Sequence, residues 1–157
     1  MTGVGPEACL TSTNDPHDLQ RFVDAQDSAI EQVYKELREG RKRGHWMWFV
    51  FPQLRGLGHS DMAIKFGISS LQEAVAYLKH AVLGPRLRTC SQFVILVEGR
   101  SIEQIFGYPD YLKFRSSMTL FARATSENQV FNNALQRYFV GECDSLTIER
   151  LGQGEPL

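Results

Sequence analysis

The sequence predicts an all-α protein, a single compact multihelical domain of six to eight helices. Long apolar stripes recur with a period near 3.6 residues, the spacing that places side chains on one face of a helix. Several of these stripes begin at a recognisable N-cap and end at a glycine. Strand-type alternation never lasts more than a few residues, and no Asn-Gly or Asp-Gly hairpin turn occurs.

The composition is that of an ordinary globular chain. Its 157 residues suit one domain and are enough to bury a core. The net charge of -1 and the pI near 6.4 argue against a broad basic surface, and therefore against nucleic acids and acidic membranes as partners. No apolar run is long enough for a membrane-spanning helix, and the N-terminus lacks the features of a secretory signal.

The three cysteines, Cys9, Cys90 and Cys143, are an odd number without metal-ligand spacing. Reduced thiols are therefore expected, together with a cytoplasmic location.

The first element follows a stretch of small and polar residues. Residues 1–14 are predicted to form a disordered N-terminal tail, and the helical domain is expected to span 15–151. Asp15 is placed to cap the first helix, whose apolar stripe runs over residues 19–37. Gly40 supplies the stop.

Gln26 lies within this apolar stripe, so its amide must find hydrogen-bond partners in the interior. Two interpretations are open. The amide either braces the backbone of a neighbouring loop or faces a polar pocket.

Later helices are predicted from the same signals, with a polar cap followed by an apolar stripe. The cap-like segments are Ser70–Glu73, Ser101–Gln104, Ser126–Gln129 and the single residue Asp144. Gly84 and Pro85 separate two helices, and Pro109 opens a helix that runs through Phe121. The last helix should end at Leu151, which leaves 152–157 as a C-terminal tail.

The run WMWFVF, residues 46–51, is the exception to the helical pattern, because its composition suits an extended segment equally well. Six successive apolar residues must be covered on both sides, so four of them are predicted to be core: Met47, Phe49, Val50 and Phe51. Trp46 and Trp48 each carry an N–H that needs a partner. One of these two rings is a candidate wall of a ligand cleft.

Polar candidates for a binding site surround that run. Lys42 and Arg43 follow the C-terminal end of a helix, where the helix dipole favours cations. That position explains in part why positive charges are grouped there. Gln53 follows the run closely, and Ser60 is a predicted N-cap at a helix N-terminus that could bind an anion. Whether the protein is an enzyme is left open. If it is, His45 is the best candidate for general acid or base, because a histidine titrates nearest neutral pH.

Two later segments add further candidates. Arg86 is expected in the first turn of its helix, where a cation meets an unfavourable dipole, so a carboxylate or a bound anion should offset its charge. Lys113 and Ser117 are four residues apart and share a helical face. The Ser117 hydroxyl either bonds back to its own helix or faces a polar cavity.

Signatures of metal and cofactor sites are missing from the sequence. The four histidines are well separated, and there is no HExxH, CxxC or P-loop motif. Three acids, Glu98, Glu103 and Asp110, are interpreted as ordinary helix-end residues rather than as a catalytic pair. No metal and no cofactor is expected.

Four segments resemble the bacterial domain-of-unknown-function family 1810: DLQRFVDAQ, GRKRGHWMWFVFPQLRGLGHS, LGPRL and FGYPDYLKFRSSMTLF. The resemblance covers residues 15 to about 151 and implies an all-helical, single-domain fold. It implies no chemistry, because the function of that family is not established. Members are sometimes labelled calpastatin, but calpastatin is a long, disordered repeat inhibitor, and this chain has the pattern of a compact helical domain.

These candidates predict binding of a small anionic molecule, and a nucleotide-like metabolite is one form of it. The side chains proposed to bind it are Lys42, Arg43, Trp46, Trp48, Gln53, Ser60, Arg86, Lys113 and Ser117. Two alternatives stay open: a non-catalytic protein-interaction module that docks through the basic loop 40–45, and, with less support, RNA binding through the basic and aromatic stretch. A concave pocket would favour the first hypothesis, and a flat exposed face would favour the interaction module.

Overall fold

The computed structural model describes residues 15–154, and within that range the chain forms ten helices. They are α1 (Gln20–Asp27), α2 (Ile30–Glu39), α3 (Met47–Val50), α4 (Asp61–Phe66), α5 (Leu71–Lys79), α6 (Leu83–Leu96), α7 (Ile102–Phe106), α8 (Asp110–Ala122), α9 (Gln129–Phe139) and α10 (Ser145–Gly154). The β structure of the described residues is a parallel bridge between Leu54 and Ile68. The all-α prediction is confirmed, and the count exceeds six to eight because α3, α4 and α7 are very short.

The predicted domain boundary can be compared with the structure at the C-terminal end of the chain. The predicted tail 1–14 lies outside the described residues. At the other end, α10 continues to Gly154, past the predicted domain boundary at 151. Within 15–154, no helix combines the length and the apolar character needed to cross a membrane.

The centre of the fold is α8, which packs on α5, α7, α9 and α10. Its residues from Ser116 to Phe121 are all buried. A helix that is covered all round has no solvent-facing side for its polar residues, which is why two serines and a threonine of α8 lie in the interior. A second packing centre is α6, which contacts α2, α5 and α9.

The predicted first helix is divided into α1 and α2 by a turn at Ser28 and Ala29. Asp15 lies ahead of α1, and its carboxylate accepts the backbone N–H of Leu19 at 2.8 Å. Gly40 ends α2 with a φ of 74°, a left-handed conformation that glycine adopts without a steric penalty.

Gln26 braces a neighbouring segment, which is the first of the two interpretations of this residue. Its amide donates to the backbone oxygen of Phe49 at 2.7 Å and to the hydroxyl oxygen of Tyr77 at 3.0 Å. The amide therefore ties α1 to α3 and α5.

The caps predicted at Ser70, Ser101 and Asp144 are confirmed, because each side chain accepts the backbone N–H three residues further on. The cap predicted at Ser126 is wrong. Asn128 is the residue that precedes α9, and its side chain makes no capping bond. It donates instead to the backbone oxygen of Ala122 at the end of α8, so the preceding helix holds this connection.

The WMWFVF run contains one helical turn, α3, and is not a strand. The four residues predicted to be core are all buried: Met47, Phe49, Val50 and Phe51. Beyond the run, Arg55 donates its backbone N–H to the Ile68 oxygen at 2.7 Å, and Ile68 donates to the Gln53 oxygen at 2.9 Å. These two bonds hold the segment after α3 against the connection between α4 and α5.

Candidate functional site

The structure brings two of the predicted cations together on one carboxylate. Lys42 Nζ lies 2.9 Å from Asp110 Oδ2, and Lys113 Nζ lies 3.1 Å from Asp110 Oδ1. We call these three side chains the Lys–Asp–Lys cluster. Because both lysines and the aspartate are charged at neutral pH, the cluster has a net charge of about +1.

Local sequence explains how the cluster is placed. Asp110 is the first residue of α8, and Lys113 follows one turn later on the same face. Lys42 arrives on the loop after α2, where its backbone N–H donates to the Ile105 oxygen of α7 at 2.8 Å. The left-handed turn at Gly40 directs the chain towards that helix.

The two lysines differ in their exposure to solvent and in how many of their N–H donors are used by protein acceptors. The side chain of Lys42 is 8% exposed, and its ammonium group also donates to the Gly44 oxygen at 2.6 Å. The side chain of Lys113 is 21% exposed, and Asp110 is the acceptor of its hydrogen bond within the described chain. Lys113 therefore keeps two N–H donors, and solvent reaches part of the side chain.

Asp110 stays a carboxylate in this setting. Burial by itself raises the pKa of the acid, but the hydrogen bonds and positive charges of Lys42 and Lys113 outweigh burial and hold the pKa below its ordinary value. The acid therefore holds two like charges close to each other.

Each tryptophan ring lies beside one lysine of the cluster, but the two rings differ in burial, and Lys42 Nζ is 5.1 Å from the centre of the Trp46 ring. Trp46 is buried, and its indole N–H donates to Glu36 Oε1 at 2.9 Å. Trp48 is only partly buried, and Lys113 Nζ lies 4.1 Å from the centre of its ring. That distance is typical of a cation–π contact. Gly58 lies beside the same indole, since a Cβ added there would be 3.4 Å from its Cη2 atom.

One buried polar side chain close to these residues in sequence, that of Ser117, lacks a hydrogen-bond partner among the described residues. Ser117 lies one turn beyond Lys113, is fully buried, and its hydroxyl has no hydrogen-bond partner within the described chain. Its neighbours Ser116 and Thr119 do bond back to their own helix. An unpaired buried hydroxyl such as that of Ser117 is expected to be satisfied by water or by a ligand. Gln53 is 8% exposed.

Glu36 organises the loop that carries Lys42. Its carboxylate accepts the backbone N–H groups of Arg43 and Gly44 at 2.8 and 3.0 Å, the Trp46 indole N–H, and the side chain of Gln32 at 2.8 Å. Burial raises the pKa of Glu36, but these four hydrogen bonds reverse the effect and lower it to about 2. Glu36 is thus an anion that fixes the loop conformation.

Other predicted site residues lie on the surface or serve a helix end. His45 is exposed and forms no hydrogen bond or ion pair with the described residues. Arg43 is also exposed and pairs with Glu39 at 2.9 Å. Ser60 caps α4 by accepting the Ala63 N–H at 3.1 Å.

Arg86 belongs to a different group of contacts. Its guanidinium lies 3.0 Å from Asp27 Oδ1 and donates to Gln26 Oε1 at 3.3 Å. The carboxylate interpretation of Arg86 is therefore confirmed, with Asp27 as the partner.

Sequence reasoning missed two acids of this region. Asp110 has the sequence position of an ordinary helix-end residue, although its i, i+3 spacing from Lys113 indicates a pair on one helical face. Glu36 has a local partner in Gln32, one turn earlier, but its bonds to Arg43, Gly44 and Trp46 have no local signal because they depend on how the following loop folds back. No group of three or more His, Cys, Asp or Glu side chains that could hold a metal occurs among residues 15–154.

Residues 16–151 match the family that is described as a protein of unknown function, DUF1810. The chain belongs to that family. The resemblance drawn from the four sequence segments is confirmed.

A solved structure shares the DUF1810 fold seen here. The chain is 61% identical to the conserved hypothetical protein Rv1873 from Mycobacterium tuberculosis, and the two structures match with a TM-score of 0.87. The match covers 88% of this chain and 99% of the mycobacterial chain. No curated protein matches the sequence. The comparisons show the family and the fold, and their descriptions name no ligand or reaction.

Proposed function

We propose that this protein binds a small anionic metabolite at the Lys–Asp–Lys cluster, with nucleotides as the first class to test. The observation that carries the proposal is the position of Lys113. Its ammonium group lies 4.1 Å from the Trp48 ring centre and bonds to Asp110 within the described chain. A cation with free donors beside a partly exposed indole suits a ligand that combines a negative charge with a ring.

The surroundings support an anion rather than a neutral ligand. Asp110 bonds to both Lys42 and Lys113, so these three side chains together carry a net positive charge and produce a positive field. Partial burial strengthens that field, because the charges are less screened than on an open surface. Gln53 and Ser117 are the polar side chains proposed to orient the ligand.

The proposal is one of binding, and it assigns no reaction. His45 remains the candidate acid or base should a reaction be found. We also propose a cytoplasmic location, and the unpaired thiols of Cys90 and Cys143 support it because a cytoplasm keeps thiols reduced.

A thermal-shift screen of nucleotides, sugar phosphates and dinucleotides tests the binding proposal. A ligand at about a hundred times its dissociation constant stabilises by about 2.7 kcal/mol, which corresponds to roughly 5–10 °C for a domain of this size. Lys113→Gln and Trp48→Leu should each abolish the shift. Arg123→Gln is the matched control, because it removes one exposed positive charge at the end of α8, outside the cluster, and should keep the shift. A full shift in Lys113→Gln would refute the proposal.

An interaction module remains the alternative, because Arg41, Arg43 and His45 are exposed within one short loop. Such a surface suits an acidic protein segment. A glutamate-rich peptide should then bind the wild-type protein and lose affinity in an Arg41→Gln, Arg43→Gln double variant. Lys113→Gln would bind the peptide normally in that case, which separates the two functions.

A further inference from the structure

A second cationic site lies away from the residues used so far, in a cavity of about 160 Å³ lined by Arg55 of the loop after α3 and Arg150 of α10. We call it the Arg55–Arg150 cavity. Ser69 and Ser70 contribute its other polar side chains, and three leucines form its apolar wall. No carboxylate is among the lining residues.

The backbone around Arg55 is held firmly. Its N–H donates to the Ile68 oxygen at 2.7 Å in the bridge between the two connections. The guanidinium itself is weakly engaged, with one long hydrogen bond of 3.4 Å to the Gly67 oxygen. Arg55 is therefore fixed at its base and has donors left at its tip.

Arg150 is brought to the same cavity by α10, which packs on α8. No hydrogen bond or ion pair joins its guanidinium to another residue of the described range 15–154. The guanidinium lies so close to the backbone of Gly56 that an added Cβ would overlap it. Gly56 also has a φ of 99°, so glycine is favoured there both by conformation and by the approach of the arginine.

The serines differ in what they can offer a ligand. Ser70 Oγ accepts the Glu73 N–H, which leaves its own O–H free to donate. Ser69 already donates its O–H to Glu73 Oε1 at 2.7 Å. The charge of that buried acid is met by Arg21, whose guanidinium lies 2.9 Å from Glu73 Oε2. The negative charge of Glu73 is therefore compensated by Arg21, which is outside the cavity lining.

From these observations we infer that the Arg55–Arg150 cavity binds the phosphate group of a small organic phosphate. Arg55 and Arg150 are both exposed, so a ligand can reach them from solvent, and guanidinium binds phosphate oxygens in pairs. The volume equals that of roughly five water molecules at about 30 Å³ each, which suits a phosphate with a short carbon chain against the leucines. An adjoining cavity of about 410 Å³ shares Arg55 and Ser69, and it has room for the rest of the molecule. Its lining is mixed in charge, with Asp18 and Glu73 as well as Arg21 and Lys65.

Amide chemical shifts measured during titration with inorganic phosphate, and then with glycerol phosphate, test this site directly. Saturable shifts are expected at Gly56 and Ser70 of the wild-type protein. Arg55→Gln and Arg150→Gln should each raise the dissociation constant at least about tenfold, since each removes charge-assisted hydrogen bonds. Arg123→Gln is the control, because this exposed arginine at the end of α8 does not line the cavity, and it should leave the affinity unchanged.

Absence of saturable shifts at Gly56 and Ser70, or equal affinity in wild type and Arg150→Gln, would overturn the inference. If a glutamine variant fails to give a folded spectrum, Arg55→Lys and Arg150→Lys keep the charge and should still weaken binding, because lysine lacks the paired donors of arginine. The inference does not rest on the Lys–Asp–Lys cluster. Lys113→Gln should leave the phosphate-induced shift of Ser70 unchanged, so failure of one site is distinguishable from failure of the other.

Discussion

Replacing Glu36 with glutamine tests how the loop after α2 is held. Glutamine keeps the shape of the side chain but removes the negative charge of the carboxylate, which accepts hydrogen bonds from the N–H groups of Arg43, Gly44 and Trp46. The acid is 2% exposed, so water does not screen these bonds. We expect Glu36→Gln to fold and to be less stable than the wild-type protein at neutral pH.

The size of the effect follows from the pKa of Glu36, which is about 2 in the folded protein against an ordinary value of 4.5. A lowered pKa stabilises the folded state above the unfolded-state value, and the stabilisation is lost as the pH falls through the folded-state value. The difference of about 2.5 pKa units corresponds to about 3 kcal/mol. That stabilisation is complete at pH 7, declines below about pH 4.5, and is gone below about pH 2.

Urea denaturation followed by tryptophan fluorescence at several pH values measures this contribution. The wild-type protein should exceed Glu36→Gln by about 2–3 kcal/mol at pH 7 and by less than half of that at pH 3, because protonated glutamate resembles glutamine. Glu39→Gln is the matched control, since this exposed acid makes surface ion pairs that contribute little. A difference between wild type and Glu36→Gln that does not change from pH 7 to pH 3 would refute the reasoning.

Three further predictions concern stability and reactivity. Arg21→Gln should lower the free energy of unfolding by about 3–5 kcal/mol in denaturant titrations, because buried Glu73 would lose its cation; a loss below about 1 kcal/mol would contradict this. Phe49→Ala should lower it by about 3–5 kcal/mol in the same assay, since the ring is buried with its centre 5.4 Å from that of Phe66, and a neutral result would place the ring outside the core. In the folded protein a thiol reagent should modify exposed Cys143 rapidly and Cys90 only after unfolding, because burial raises the pKa of Cys90 to about 12, and mass spectrometry of the labelled peptides distinguishes them.

The helices could be predicted from sequence because their signals are local. The capping box of Ser101 and Gln104 depends only on two residues that are three positions apart in sequence, and the structure contains it. The break at Ser28 and Ala29 gave no such signal, because both residues are compatible with a continuing helix and packing decides where α1 ends. The cap assigned to Ser126 failed for a similar reason, since contact with α8 sets the start of α9.

The candidate site was predictable in its residue types but not in its pairing. The spacing of Trp46 and Trp48 shows that both are in an apolar run, but which ring reaches the surface depends on where Glu36 and Lys113 come to lie. Asp110 meets Lys42 only through the packing of the loop after α2 against α7 and α8. Contacts between residues so far apart in sequence depend on the complete fold.

The role of Asp110 yields a prediction in which folding and binding change in opposite directions. Asp110→Asn removes the charge that Lys42 and Lys113 share, so the two ammonium groups are left to repel each other and stability should fall, by about 1–3 kcal/mol for a half-buried group. The net charge of the cluster rises from about +1 to about +2 at the same time, and an anion binding at Lys113 should therefore bind several-fold more tightly at low salt. Denaturant titration measures the first effect, and calorimetric titration with the best nucleotide from the thermal-shift screen measures the second. The substitution keeps the size of the side chain, so a loss of affinity together with the loss of stability would mean that Asp110 positions Lys113 and that the charge of the cluster does not attract the ligand, which would contradict electrostatic recognition at this site.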